Sequence, residues 1–136
     1  GQVWTPPVDW LYESPEELTA RCGAGNRWRE GLSRKHRSSI FPAEYFRLVS
    51  QRADILVTHE APSSHPHGFE AIDELARSLG VTKAFHGHHH DRLDYSRDRI
   101  RLGFEAFGVG FCGVSCMNGS CIQPGKFDNE PVGRFR

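Results

Sequence analysis

The stretch from Asp54 to Asp91 constrains this chain more than any other. Asp54-Ile55-Leu56-Val57-Thr58 is a short β-branched run that reads as a buried strand ending at His59. Beyond the loop from Glu60 to His67, the residues Phe69, Ile72, Leu75, Ala76 and Leu79 recur at helical spacing, and Gly80 stops the pattern. Lys83-Ala84-Phe85 is a second short strand, leading straight into Gly87-His88-His89-His90-Asp91. Strand, helix, strand is the order of a parallel pair, because parallel strands need a crossover between them. Each strand then delivers a histidine at its C-terminal end, the edge at which open α/β sheets hold ligands.

The flanks are less regular. Residues 1–42 are punctuated by Pro6, Pro7, Pro15, Gly23, Gly25, Gly31 and Pro42. Ser14-Pro15-Glu16-Glu17 reads as a helix start, with an N-cap, proline at the first position and an acidic first turn. From Pro42 to Arg52, Ala43, Phe46, Leu48 and Val49 fall at helical spacing. After the histidines the pattern turns antiparallel. Ile100, Leu102, Phe104 and Ala106 alternate with Arg101, Gly103 and Glu105, and Asn118-Gly119 marks a tight hairpin before Cys121-Ile122. The expected fold class is therefore α/β, with a short parallel β-α-β unit followed by antiparallel strands. Residues 1–136 are expected to form one domain, with 1–42 as an irregular segment within it. The chain begins in mid-pattern without an initiator Met, which points to a cut end and an incomplete domain.

Charge excludes some function classes. Lys+Arg and Asp+Glu are both 17, so the basic excess of a general nucleic-acid or anionic-membrane binder is missing. No apolar run approaches the roughly 20 residues needed to cross a bilayer, and no charged start leads into an apolar stretch as in a signal peptide. Cys22, Cys112, Cys116 and Cys121 form no C-x-x-C pair. The last three lie in a strand-and-turn region whose apolar pattern predicts buried, unpaired thiols. The expected compartment is the reducing cytoplasm.

Seven of the eight histidines fall between positions 59 and 90. A neutral imidazole is a directional ligand for a divalent ion, and a cluster at two successive strand ends points to a metal site. His88 and His90 are two apart and would share one side of an extended segment, with Gly87 supplying a sharp turn before them. His59 reaches the same point from the neighbouring strand. The expected metal ligands are thus His59, His88 and His90, with His89 pointing away.

Thr58-His59 after a strand, then Gly87-His88-His89-His90, resembles the last two motifs of calcineurin-like metallophosphoesterases, a lone His followed by Gly-His-x-His. The resemblance covers Asp54 to Asp91. It implies the C-terminal half of an α/β sandwich and hydrolysis of a phosphomonoester or phosphodiester. It further implies two metal ions (Mn, Fe or Zn), with His59 and His88 on one and His90 on the other. The family also carries Asp-x-His, Gly-Asp-x-x-Asp and Gly-Asn-His-Asp/Glu upstream, and this sequence has none of them; Gly25-Asn26-Arg27 imitates only the start of the third. The bridging carboxylate and the acid histidine are absent with them. Alone, the chain is therefore expected to hold at most one weakly bound ion and to be inactive until a missing N-terminal half is supplied. Two rivals stand beside this reading: a non-catalytic metal-binding fragment and a mononuclear three-histidine hydrolase.

Other residues complete the expected site. Glu60 and Asp91 adjoin ligands and would orient the imidazoles, unless they are simply solvated strand-end acids. His36 and Arg37 lie in the basic, hydroxyl-bearing loop Arg34–Ser39, which either holds a phosphate or forms a solvated face. His65 and His67 run into a helix N-terminus and would line a substrate pocket.

Overall fold

The computed structural model describes residues 12–27, 29, 31 and 40–129. The chain divides into two compact units, Gly1–Ser50 and Gln51–Arg136. In the first, helix α1 spans Pro15–Arg21 and opens as the sequence predicts: the Ser14 hydroxyl accepts the Glu17 N–H at 3.1 Å, with Pro15 behind it. Helix α2, Pro42–Val49, also starts on proline, and the Glu44 carboxylate accepts the Phe41 N–H at 3.2 Å. Among the described residues of this unit, Leu18, Phe41 and Tyr45 are the buried hydrophobic side chains. Gly25-Asn26-Arg27 lies at a single 3₁₀ turn, Ala24–Asn26, as expected of a loop.

The second unit is built on a three-stranded parallel sheet, β1 (Ile55–Thr58), β2 (Lys83–His86) and β3 (Glu105–Gly108), in spatial order β1-β2-β3. Helix α3, Glu70–Leu79, makes the first crossover. Gly80 caps it in the left-handed region at φ +74°, and its N–H returns to the Ala76 and Arg77 carbonyls. Leu75, Ala76 and Leu79 of α3 join Val81, Ala84, Phe85, Leu102, Phe104 and Ala106 as the buried apolar set. Each large member contributes about 1.5–3 kcal/mol. Among the described residues, no helix is long and apolar enough to cross a membrane.

Three expectations are corrected. β1 is half-buried rather than buried, because it is a sheet edge, and Val57 is 75% exposed. Ile100 and Leu102 are not strand residues: helix α4, Arg99–Leu102, turns at Gly103, and β3 follows parallel to β2. The period-2 reading failed there because α4 points Ile100 to solvent (96% exposed) while burying Leu102 completely. Among the described residues, antiparallel pairing is confined to a separate two-stranded sheet, β4 (Val114–Ser115) and β5 (Cys121–Gln123). Its turn is at the expected place. Gly119 N–H bonds the Cys116 carbonyl at 2.9 Å, and Asn118 Oδ1 accepts the Ser120 N–H at 2.9 Å.

The cysteines are free, as expected, but not buried. Cys112 and Cys121 are exposed, Cys22 and Cys116 half-buried. The reason is the small size of the β4–β5 sheet, in which every residue of β5 is exposed.

Candidate metal centre

Pairing of Thr58 with His86 brings the two strand ends level, and the Gly87 N–H extends the ladder to the His59 carbonyl at 3.3 Å. The turn that follows is not made by Gly87. His88 takes φ +55° and His90 φ +61°, the left-handed region that few residues other than glycine enter, histidine among them. The His89 N–H bonds the Gly87 carbonyl at 2.7 Å, closing a three-residue turn centred on His88. Such a turn is strained, and strained backbone concentrates at functional sites.

This turn aims His88 at His59. His88 Nδ1 and His59 Nε2 are 2.6 Å apart, so at most one of them carries a proton and the other presents its lone pair. Glu60 joins them. Among the described residues, His59, Glu60 and His88 are the group whose ligating atoms all lie within 4.8 Å of one another. Glu60 spreads its two oxygens towards two histidines, Oε1 at 3.8 Å from His88 Nε2 and Oε2 at 3.9 Å from His89 Nε2. Glu60 therefore stands among the candidate ligands instead of behind them. Its signal in the sequence was adjacency to His59.

His90 is outside this group. The left-handed backbone at positions 88 and 90 breaks the extended alternation that would have put both imidazoles on one side. The His90 ring lies instead against Phe111, centroids 4.9 Å apart, and Phe111 in turn stacks on Phe127 at 5.4 Å.

His89, expected to point away, is packed among its neighbours. Its ring stacks on His65 at 3.9 Å and meets His88 edge-on at 4.9 Å. Burial, then the rings of His65 and His88, hold its pKa below the usual value. A neutral His89 makes the 3.9 Å approach to Glu60 a polar contact rather than an ion pair. Its buried Nε2 has no hydrogen-bond partner among the described residues.

Behind the cluster, two imidazoles are fixed in known tautomers. The His67 N–H donates to His65 Nδ1 at 3.0 Å, so the His65 proton is on Nε2 and goes to Asp91 Oδ2 at 3.1 Å. Both His65 nitrogens are thereby engaged and the ring is buried, whereas His67 is exposed. Asp91 orients His65 rather than a ligand of the cluster. His86 has its Nδ1 on the Gly87 carbonyl at 3.3 Å and its Nε2 on the Tyr95 hydroxyl at 3.0 Å, so tyrosine donates and histidine accepts. Burial lowers the His86 pKa and raises that of Tyr95, which keeps both neutral. His36 and Arg37 lie outside the described residues.

The loop between His59 and α3 is held by residues whose sequence gave no warning of it. Asp73, 2% exposed, accepts the Ser63 N–H at 2.9 Å and the Ser63 hydroxyl at 2.5 Å. Arg101 bonds the Ser63 and Ser64 hydroxyls at 3.0 and 2.9 Å and Asp98 at 3.2 Å. Phe69 N–H closes the loop on the Ala61 carbonyl at 3.0 Å. At Gly68 a side chain would run into the Pro62 carbonyl, so only glycine lets the two backbones approach.

Comparison with known proteins adds little chemistry. An uncharacterized protein of Haemophilus influenzae is 38% identical over 130 residues, covering 96% of this chain. The chain spans 56% of that relative's length. No family model and no solved structure matches.

Proposed function

We propose that this chain supplies the histidine side of a metal-dependent phosphoesterase of the calcineurin-like kind, hydrolysing a phosphomonoester or phosphodiester. One observation carries the reading: His59 and His88, from adjacent parallel strand ends, meet at 2.6 Å beside Glu60. Two imidazoles and a carboxylate suit one first-row divalent ion such as Zn, Mn or Fe, with positions left open for water and substrate. Once bound, such an ion supplies a Lewis acid and lowers the pKa of its water. The described residues do not fit two ions. His90 stands against Phe111, and Glu60 is the single carboxylate in the cluster. A two-metal centre would need donors beyond these.

The chain's own residues do the positioning. His59 and His88 are aimed by strand pairing and by the turn at His88, while the loop locked by Asp73 keeps Glu60 beside them. Glu60 as third donor favours a second reading, a mononuclear hydrolase built on two histidines and one carboxylate, in place of three histidines. Metal stoichiometry and activity separate these readings. Titration with Zn²⁺ or Mn²⁺ should find one ion per chain, lost in His59→Ala and in His88→Ala. With Mn²⁺, the 136-residue chain should hydrolyse a generic phosphodiester barely above background, whereas a chain extended to the relative's length should bind two ions and turn over. Robust activity from the short chain with one ion would favour the mononuclear reading. Absence of metal binding in both chains would overturn both.

A further inference from the structure

At the opposite edge of the sheet from β1, the side of β3 that pairs with no strand among the described residues borders a cavity of about 380 Å³, within the range of small-ligand pockets. The strand's phase there is fixed by two bonds to the β2 side, Glu105 N–H to the Thr82 carbonyl at 3.0 Å and Val109 N–H to the His86 carbonyl at 2.8 Å. Odd-numbered residues of β3 thus pair inward, and the N–H groups of Ala106 and Gly108 face the outer edge that the cavity lines. Arg92 and Arg99 line the same space, and among the described residues neither guanidinium has a hydrogen bond or ion pair. Two acids, Glu105 and Asp94, also line the cavity, and each has a partner. Glu105 pairs with Lys83 at 3.7 Å, and Asp94 accepts the Ser96 N–H at 2.9 Å. Buried Tyr95, its hydroxyl given to His86, forms part of the wall.

Among the described residues, these guanidiniums and outward backbone N–H groups are donors without acceptors, the complement of an oxyanion. We propose that this cavity binds a phosphate group, held by Arg92 and Arg99 with the Ala106 and Gly108 N–H groups beneath it. The site needs no metal and does not depend on the His59–His88 centre, so each can fail without the other.

The test uses the full 136-residue chain in EDTA, titrated with inorganic phosphate and pyrophosphate and followed by amide chemical shifts. Saturable shifts at Ala106 and Gly108 are expected. Arg92→Gln and Arg99→Gln should each weaken binding about tenfold, the worth of one charge-assisted contact. Asp94→Asn should tighten it by removing a like charge. Both arginines are exposed, and a dispersed amide spectrum verifies that each variant is folded. Shifts confined to other regions, or affinity unchanged in both arginine variants, would overturn the site. Malonate binding more tightly than pyrophosphate would overturn its assignment to phosphate.

Discussion

Replacing Asp73 tests whether the loop after His59 is held as described. The Asp73 carboxylate is 2% exposed and receives two bonds from Ser63, one from the backbone N–H and one from the hydroxyl. Hydrogen bonds to a charged acceptor are worth about 1.5–3 kcal/mol each, and truncation leaves the Ser63 N–H with no acceptor. Arg101 adds less. Its Nη1 is 3.9 Å from Asp73 and its side chain is 53% exposed, so solvent screens the pair to below about 1 kcal/mol. Asp73→Ala should therefore cost about 3–4 kcal/mol. Asp73→Asn keeps an oxygen for the Ser63 N–H but loses the charge, and should cost about 1 kcal/mol. Urea denaturation of the metal-free chain measures both, with an unchanged m-value showing that the unfolded state is the same. The Ser63 amide should also lose hydrogen-exchange protection in the alanine variant. A loss below about 1 kcal/mol in Asp73→Ala would refute the reasoning, because the loop would then be held by its other contacts.

His88→Gly should raise the stability of the metal-free chain by about 1 kcal/mol, by relieving the positive φ, while abolishing metal binding; chemical denaturation and metal titration check the two effects. Metal-free stability should be level above about pH 6.5 and fall below it. His86 and His89 have lowered pKa values in the folded chain, so the unfolded chain takes up protons first and is favoured as pH drops; urea midpoints that rise on acidification would contradict this. Cys112 and Cys121 should react rapidly with a thiol reagent before denaturation, and all four cysteines after it, without reductant; fewer than four thiols would show a disulfide.

The parts of the fold legible in sequence were those set by local pattern. The Ser14 cap, the amphipathic face of α3, its Gly80 stop and the Asn118-Gly119 turn each need only neighbours in the chain. What was missed depends on distant partners. Ile100 to Ala106 reads as one alternating strand, yet the second parallel crossover breaks it into α4, a turn and β3. His59 and His88 were legible because strand ends bring them together. His90 falls outside the group and His89 packs against His65 and His88, because the alternation argument assumed extended backbone where His88 and His90 adopt positive φ. Asp73 and Arg101 gave no local signal at all, since an acid and a base on helices look like surface residues until Ser63 folds over them.

The meeting of His59 and His88 also has a kinetic side. The two rings are 29 residues apart, and every strand pairing in the parallel sheet likewise closes a long loop. Loop-closure entropy must be met before such contacts reward it, which makes parallel sheets slow to form. An ion bridging the two histidines would clip the β1–β2 loop at the ends that the sheet has to bring together. Metal present during refolding would then act on the rate of assembly as well as on the finished site, shortening the time for which Val57 and the unpaired strand edges are open to other chains.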